Sequence, residues 1–83
     1  MPIKVSQRPE YAVLARLLVE AREKAGMSQN ELARRLGRRQ VIVWRFENAL
    51  QSPDLIELSD IAKATGAELV DLVRAWQQKA EGE

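Results

Sequence analysis

The chain has no cysteine and no histidine among its 83 residues. Disulfides, zinc sites built on these residues, thiol nucleophiles and histidine-based acid–base catalysis are therefore excluded. The serines have no histidine to activate them, and no carboxylate pair has a spacing that indicates chemistry. No apolar run approaches the roughly 18 residues that span a membrane, and the first ten residues lack the apolar stretch of a signal peptide. We expect a cytoplasmic, non-enzymatic protein without a metal or cofactor.

Positive charge is concentrated in the first half of the chain. Residues 1–46 contain ten Lys/Arg and four acids, a net charge of +6, whereas residues 47–83 contain three Lys/Arg and eight acids, a net charge of −5. The densest basic segment, residues 34–45, has five arginines and no acid. This asymmetry favours a polyanion-binding half and a second half with another role. A merely solvated arginine-rich helix face would give the same pattern, so both interpretations stay open.

Start and stop signals divide the chain into five short helices of a single domain. The predicted helices begin near Pro9, Ser28, Arg39, Pro53 and Glu68 and end near Gly26, Leu36, Asn48, Gly66 and Lys79. We expect an all-α domain over residues 9–80, a flexible N-terminal arm over 1–8 and a frayed C-terminus over 81–83.

Two of these starts have specific capping sequences. In SQNE, residues 28–31, Ser28 and Glu31 would exchange side-chain-to-backbone hydrogen bonds as a capping box. In SPD, residues 52–54, Ser52 is the expected N-cap and Pro53 the first helical residue. The fourth helix would then turn Leu55, Leu58, Ile61 and Ala62 inward.

The second and third predicted helices are joined by about two residues around Gly37, which is the layout of a helix-turn-helix. Gly37 tolerates the left-handed backbone that such a turn needs, and Ala33 is small enough for two helices to cross closely. Val43 and Phe46 are placed to bury one face of the third helix.

The segment SQNELARRLGRRQVIVWRFENALQSPDLIELSDIAKATG, residues 28–66, resembles the DNA-binding domain of the phage-repressor-like (Cro/XRE-type) transcriptional regulators. The residues in the family's register are Gln29, Ala33, Gly37, Val43 and the FEN at 46–48. The resemblance covers about residues 11–76 and implies a compact five-helix, lambda-repressor-like fold.

The resemblance also implies that the third helix, residues 39–48, lies in the DNA major groove. The residues expected at base edges are Arg39, Gln40, Val41, Trp44 and Arg45. Those expected near phosphates are Ser28, Gln29, Arg35, Arg38 and Asn48. Among the first set, glutamine suits adenine and arginine suits guanine.

A charge also falls on the buried face of the first helix. At about 100° per residue, Arg22 lies within roughly 20° of Tyr11 on the apolar stripe. A charge in that position needs a partner. Glu47 borders the inward face of the third helix, and the family pairs residues at these two positions. We therefore expect a structural salt bridge between Arg22 and Glu47.

The four consecutive apolar residues 41–44, VIVW, depart from the family pattern, in which positions 41 and 44 are usually small or polar. A helical wheel centres Val43 on the core, leaves Ile42 half-buried and turns Val41 and Trp44 away. Two explanations remain for the outward pair. They contact DNA, where apolar groups recognise the thymine methyl, or they anchor a protein interface.

Three further positions depart from the pattern. Arg38 replaces a usually apolar residue, Arg39 a residue able to cap or start a helix, and Ala49 the glycine expected after FEN. The turn after the third helix is therefore expected to differ from that of the family.

The favoured function is sequence-specific binding of double-stranded DNA as a small regulator, more often a repressor. A homodimer would bind a two-fold or pseudo-two-fold operator. Leu72, Val73 and Trp76 are the candidate dimer surface, although Trp76 could instead only close the core. The alternative is a protein-interaction module, antitoxin-like or co-regulator-like, that binds a protein partner through Val41 and Trp44.

Overall fold

The computed structural model describes residues 8–82, so the proposed N-terminal arm apart from Arg8, and Glu83 of the proposed frayed C-terminus, lie outside the described residues. Its five helices are α1 (Pro9–Lys24), α2 (Gln29–Leu36), α3 (Gln40–Glu47), α4 (Leu55–Thr65) and α5 (Leu69–Gly82). No strand occurs within residues 8–82, and none of these helices is long and apolar enough to cross a membrane. The predicted all-α, five-helix class is confirmed. α5 extends beyond the predicted end at Lys79 and includes Glu81 and Gly82.

The N-terminus of α2 has half of the expected capping box. The Ser28 hydroxyl accepts a hydrogen bond from the Glu31 amide at 3.1 Å. The Glu31 carboxylate accepts instead from Arg35 Nη2 at 3.2 Å, so the prediction of a reciprocal bond to Ser28 is wrong. Arg35 lies four residues further along the helix on the same face, and its charge makes it a stronger donor than a backbone amide.

A complete capping box occurs instead at the start of α4. Asp54 Oδ1 accepts from the Glu57 amide at 2.7 Å, and Glu57 Oε1 accepts from the Asp54 amide at 2.9 Å. The predicted cap at Ser52 is therefore wrong, because the two carboxylates three residues apart satisfy both amides better than a single hydroxyl does. Pro53 lies outside the helix and is buried.

The core joins four helices through two clusters of buried side chains. One cluster contains Leu18, Ile42, Phe46 and Ile61, and the other contains Met27, Leu32, Ala33 and Val43. On α4, Leu58 is half-buried, and Ile61 and Ala62 are buried, as expected. Leu55 is 65% exposed, contrary to prediction. The neighbouring Ile56 is exposed too, so the first turn of α4 extends past the helices that cover its middle.

α3 buries a wider arc than the helical wheel predicts. Val43 and Phe46 are buried as expected, and Ile42 is buried rather than half-buried. Val41, predicted to point away from the core, is half-buried and packs against the Leu18 cluster. α1 and α2 both contact this short helix, so two neighbours cover more of its circumference than one stripe. Trp44 is 42% exposed, so of the two residues predicted to point away from the core only Trp44 does so.

The turns after α2 and α3 have the same hydrogen-bond pattern. After α2, the Arg38 amide donates to Ala33 O at 2.9 Å and the Gly37 amide to Arg34 O at 3.1 Å. After α3, the amides of Leu50 and Ala49 donate in the same way to Arg45 O and Phe46 O. Both are Schellman motifs, which place one residue in the left-handed region.

The left-handed residue is Gly37 at φ +66° in the first motif and Ala49 at φ +56° in the second. The turn after α3 therefore keeps the conformation that a glycine would favour, despite the alanine. The expectation that this turn would differ is wrong. The hydrogen bonds to the carbonyl oxygens of Arg45 and Phe46 stabilise the left-handed conformation and offset the steric cost of the alanine Cβ.

α5 packs against α1. The indole Nε1 of Trp76 donates to the carbonyl oxygen of Glu10 at 3.0 Å, and the ring is half-buried. α5 has no fully buried residue, and its Val70 and Val73 are exposed. Trp76 thus connects α5 to α1 within its own chain, and the exposed large apolar side chains of this helix are the two valines.

An ion pair lies where α1, α3 and the α1–α2 turn meet. Arg22 Nε donates to Glu47 Oε2 at 2.7 Å, and Arg22 Nη2 donates to Glu47 Oε1 at 3.0 Å. Arg22 Nη1 also donates to the carbonyl oxygen of Met27 at 2.8 Å. Only 4% of the Glu47 side chain is exposed. The hydrogen bond to Glu47 raises the pKa of Arg22 above its ordinary value, so the guanidinium remains a cation.

We expect Gly37→Ala to lower the free energy of unfolding by about 1 kcal/mol, since an alanine there has the left-handed strain already present at Ala49. No atom lies within 4 Å of the added Cβ, so the cost is conformational only. The melting temperature should fall by about 4–8 °C. As a control, Gly82→Ala, at a helical position with negative φ, should not lower it. Equal melting temperatures for the wild type and Gly37→Ala would contradict this account.

We expect Arg22→Met to destabilise the domain by roughly 3 kcal/mol, the lower end of the range for removing one partner of a buried ion pair, since the Arg22 side chain is 13% exposed. The lower end applies also because Gln29 Nε2 still donates to the Glu47 carboxylate at 2.9 Å. Thermal melting measures the effect, and Arg35→Met, which removes an exposed ion pair, should cost less than about 1 kcal/mol. The double variant Arg22→Met/Glu47→Leu should recover most of the loss. A melting curve unchanged by Arg22→Met would refute a structural role for the pair.

Candidate nucleic-acid interface

α2, the turn at residues 37–39 and α3 form a helix-turn-helix whose second helix has one buried side and one accessible side. Ile42, Val43 and Phe46 hold α3 against the core. The accessible side carries Trp44 and Arg45, both exposed, and the half-buried Gln40 at its first turn. An amide, an indole and a guanidinium therefore share the surface of an eight-residue helix.

Gln40 is hydrogen-bonded to α2 through Gln29. Gln40 Nε2 donates to Gln29 Oε1 at 2.6 Å, and Gln29 Nε2 donates to Glu47 Oε1 at 2.9 Å. Gln29 and Gln40 were predicted as separate contacts, one to phosphate and one to a base. The structure connects both of them to the Arg22–Glu47 ion pair. Gln29 and Gln40 are eleven residues apart in sequence, so their hydrogen bond could be predicted only from the way α2 and α3 cross.

The arginines of the basic segment divide into two groups. Arg35 is paired with Glu31 within α2, and Arg38 is paired with Glu57 on α4. None of the ion pairs within residues 8–82 involves Arg34, Arg39 or Arg45, and all three side chains are exposed. The uncompensated positive charge of this segment is therefore carried by these three arginines.

The Arg38–Glu57 pair explains one departure from the family pattern. Arg38 follows the glycine of the α2–α3 turn, at a position that is commonly apolar, and its Nη1 donates to Glu57 Oε2. The contact is an ion pair between this turn and the first turn of α4. The unusual arginine could be recognised from the sequence, but its partner Glu57 could not, because Glu57 lies 19 residues away in another helix.

The two ends of α3 differ in what they offer a ligand. At its start, Arg39 is the N-cap without a side-chain cap, and the first turn has no acid. No side-chain cap or acidic residue of the first turn therefore compensates the positive end of the helix dipole. At its other end, Asn48 Nδ2 donates to the Trp44 carbonyl oxygen at 2.9 Å, so one amide hydrogen of Asn48 caps the helix. Its second amide hydrogen has no partner among the described residues.

Comparison with known proteins places this geometry in a family. The family model described as "Helix-turn-helix domain" matches residues 13–76. Among solved structures, the chain is similar to an XRE-family like protein from Pseudomonas syringae pv. tomato str. DC3000. The two are 38% identical in sequence, with a TM-score of 0.79, over 88% of this chain and 89% of that one. No match was found among curated proteins.

The family match spans the helix-turn-helix and most of the helices around it, and the resemblance identified from sequence is thereby confirmed. The chain belongs to the Cro/XRE-type helix-turn-helix family of DNA-binding regulators.

Proposed function

We propose that the chain binds double-stranded DNA sequence-specifically as a small transcriptional repressor, with α3 in the major groove. The observation that carries this proposal is the division of α3 into a buried apolar side and an accessible side with Gln40, Trp44 and Arg45. A major groove about 12 Å wide admits such a helix, and these side chain types match what base edges offer. Such a regulator has no catalytic step and acts where bacterial DNA is, in the cytoplasm.

Within the major groove, three residues form hydrogen bonds to base edges. Gln40 binds adenine, and Arg45, with Arg39 at the start of the helix, binds guanine at O6 and N7. Trp44 provides the apolar contact, to a thymine methyl or along the sugar–phosphate backbone. Val41 is the weakest of the predicted base contacts, because part of its side chain packs against the core.

Phosphate contacts come from groups that retain a free hydrogen. Ser28 accepts the Glu31 amide but keeps its own hydroxyl hydrogen, and Gln29 and Asn48 each use one amide hydrogen within the chain. Arg35 can exchange its exposed pairing with Glu31 for a phosphate at little cost. Arg38 is the weakest candidate of the original set, because binding phosphate would break its contact with Glu57.

We further propose that two copies bind a two-fold operator. Recognition helices of such dimers lie about one DNA turn, roughly 34 Å, apart. The longest extent of this domain is 32 Å, so two copies in that arrangement would be adjacent. The dimer surface is the exposed apolar part of α5 at Val70 and Val73, with the half-buried Leu72 behind it. Trp76 is excluded from that surface, because its indole is bonded to Glu10 of its own chain. Repression then requires only that the dimer occupies its operator.

One observation favours a second function, a protein-interaction module. Trp44 is 42% exposed on α3, and an exposed tryptophan is a favoured anchor of protein interfaces. An antitoxin-like or co-regulator-like protein would use this surface for a protein partner. Salt dependence separates the two functions. DNA binding weakens with a log–log slope of about −0.9 per phosphate contacted, whereas binding through an apolar protein interface changes little.

The test recovers bound fragments from genomic DNA and measures dissociation constants for the wild type and two variants. Gln40→Ala should weaken binding about 5- to 150-fold, since one bidentate base contact contributes about 1–3 kcal/mol. Trp44→Ala should weaken it as well. Gln78→Ala, which removes an exposed glutamine of α5 about 80° around the helix from Val70, is the matched control and should bind as the wild type does.

Equal binding of the recovered site by Gln40→Ala, Trp44→Ala and the wild type would show that α3 is not the recognition helix. Failure to enrich any DNA, together with salt-independent capture of a protein that Trp44→Ala loses, would favour the second function.

A further inference from the structure

The proposed phosphate contact of Asn48 lies where an anion needs a cation nearby. Asn48 is the C-cap of α3, so an anion there meets the negative end of the helix dipole. Its side chain offers one neutral amide hydrogen, because the other is donated to the Trp44 carbonyl oxygen. Arg45 is the basic residue of the last turn of α3, and in the proposed function it binds a base. A phosphate at Asn48 therefore needs positive charge from another element.

A concavity between α1 and the C-terminal end of α3 brings such a charge beside Asn48. Its volume is about 340 Å³, and it is open to solvent. Its walls include the small side chains of Ala12, Ala15 and Ala49, and its charged and amide side chains are Arg16, Glu47 and Asn48. Because the alanines are short, they leave the space between Arg16 and Asn48 open to a ligand. Arg16 is the one cation that lines this concavity among the described residues.

Arg16 is free to bind an anion in this position. Ala12, Arg16 and Val19 recur at spacings of four and three residues, which places them on one face of α1. Arg16 is exposed on that face, and none of the ion pairs within residues 8–82 involves it. Its guanidinium can therefore bind a phosphate without breaking an ion pair of the folded chain.

The carboxylates nearest to Arg16 are paired with other cations. Glu47, in the wall of the concavity, accepts from Arg22 at 2.7 Å, and its side chain is 4% exposed. Glu20, four residues further along α1, is paired with Lys79 of α5 at 3.8 Å. The charge that the concavity offers a ligand is therefore that of the Arg16 guanidinium.

We infer that Arg16 and Asn48 bind the same DNA phosphate, which adds α1 to the DNA interface. Arg16 supplies the charge and the planar fork of N–H groups that suits phosphate oxygens, and Asn48 supplies its remaining amide hydrogen. This inference rests on the proposed function, in which α3 lies in the major groove. The contact positions the protein on the duplex and carries no sequence information of its own.

The first test measures dissociation constants for the recovered operator between about 50 and 200 mM salt. The loss of one phosphate contact should reduce the log–log salt slope of Arg16→Gln by about 0.9. The difference in affinity between the wild type and Arg16→Gln should therefore shrink about 3.5-fold across this range. Arg16→Lys retains the charge and should keep the wild-type slope. Lys63→Gln is the matched control, because it removes the same charge from an exposed residue of α4, and it should also keep that slope.

The second test identifies the phosphate. A single uncharged methylphosphonate is moved along the operator, and the position at which Asn48→Ala becomes insensitive to it marks the phosphate that Asn48 binds. Arg16→Gln should become insensitive at the same phosphate and stay sensitive at the others. Melting curves accompany the variants. Because Asn48 also caps α3, Asn48→Ser, which keeps a hydroxyl donor for the Trp44 carbonyl oxygen, replaces Asn48→Ala where that variant lowers stability.

The two levels of the account fail separately. If Arg16→Gln keeps the wild-type salt slope while Gln40→Ala weakens binding, the role of α1 is overturned and the recognition helix stands. If Arg16→Gln becomes insensitive at a phosphate other than that of Asn48, the shared site is overturned. If no DNA is recovered by the wild type, the proposed function itself is wrong, and the inference is overturned with it.

Discussion

The Arg22–Glu47 ion pair is the interaction on which the arrangement of this small domain depends. The Arg22 guanidinium bonds the carboxylate of α3 and the backbone carbonyl of Met27, so one side chain connects α1, the turn before α2, and α3. A buried ion pair adds little net stability compared with an apolar pair of the same volume. Its contribution is directional, because the bidentate contact allows only a narrow range of positions for α3 relative to α1.

That constraint matters because α3 has only eight residues and must serve two purposes. One side provides Ile42, Val43 and Phe46 to the core, and the other is the accessible side that we propose contacts DNA. Apolar packing is nearly non-directional and would tolerate small rotations of so short a helix. The polar relay from Glu47 through Gln29 to Gln40 restricts such rotation and also orders the side chain at the accessible end. Core and candidate interface are therefore joined by hydrogen bonds as well as by packing.

Local patterns predicted most of the fold, and contacts between distant residues account for most of the errors. Periodicity placed Val43 and Phe46 in the core, but it missed the burial of Val41, because a wheel describes one stripe whereas two helices cover α3. Capping rules indicated a start near residue 53 for α4, but the choice between Ser52 and Asp54 depended on the reciprocal bond to Glu57. In the candidate interface, the resemblance to the family predicted separate DNA contacts for Gln29 and Gln40. Their mutual bond and the Arg38–Glu57 pair required the crossing of helices in three dimensions.

The most direct measurement is a crystal structure of the protein bound to its recovered operator, at a resolution that distinguishes direct from water-mediated contacts. We expect α3 in the major groove, with Gln40 Oε1 accepting from adenine N6 while Gln40 Nε2 still donates to Gln29 and Gln29 to Glu47. A complex in which α3 lies outside the major groove, or in which Gln40 binds its base after separating from Gln29, would contradict the central claim.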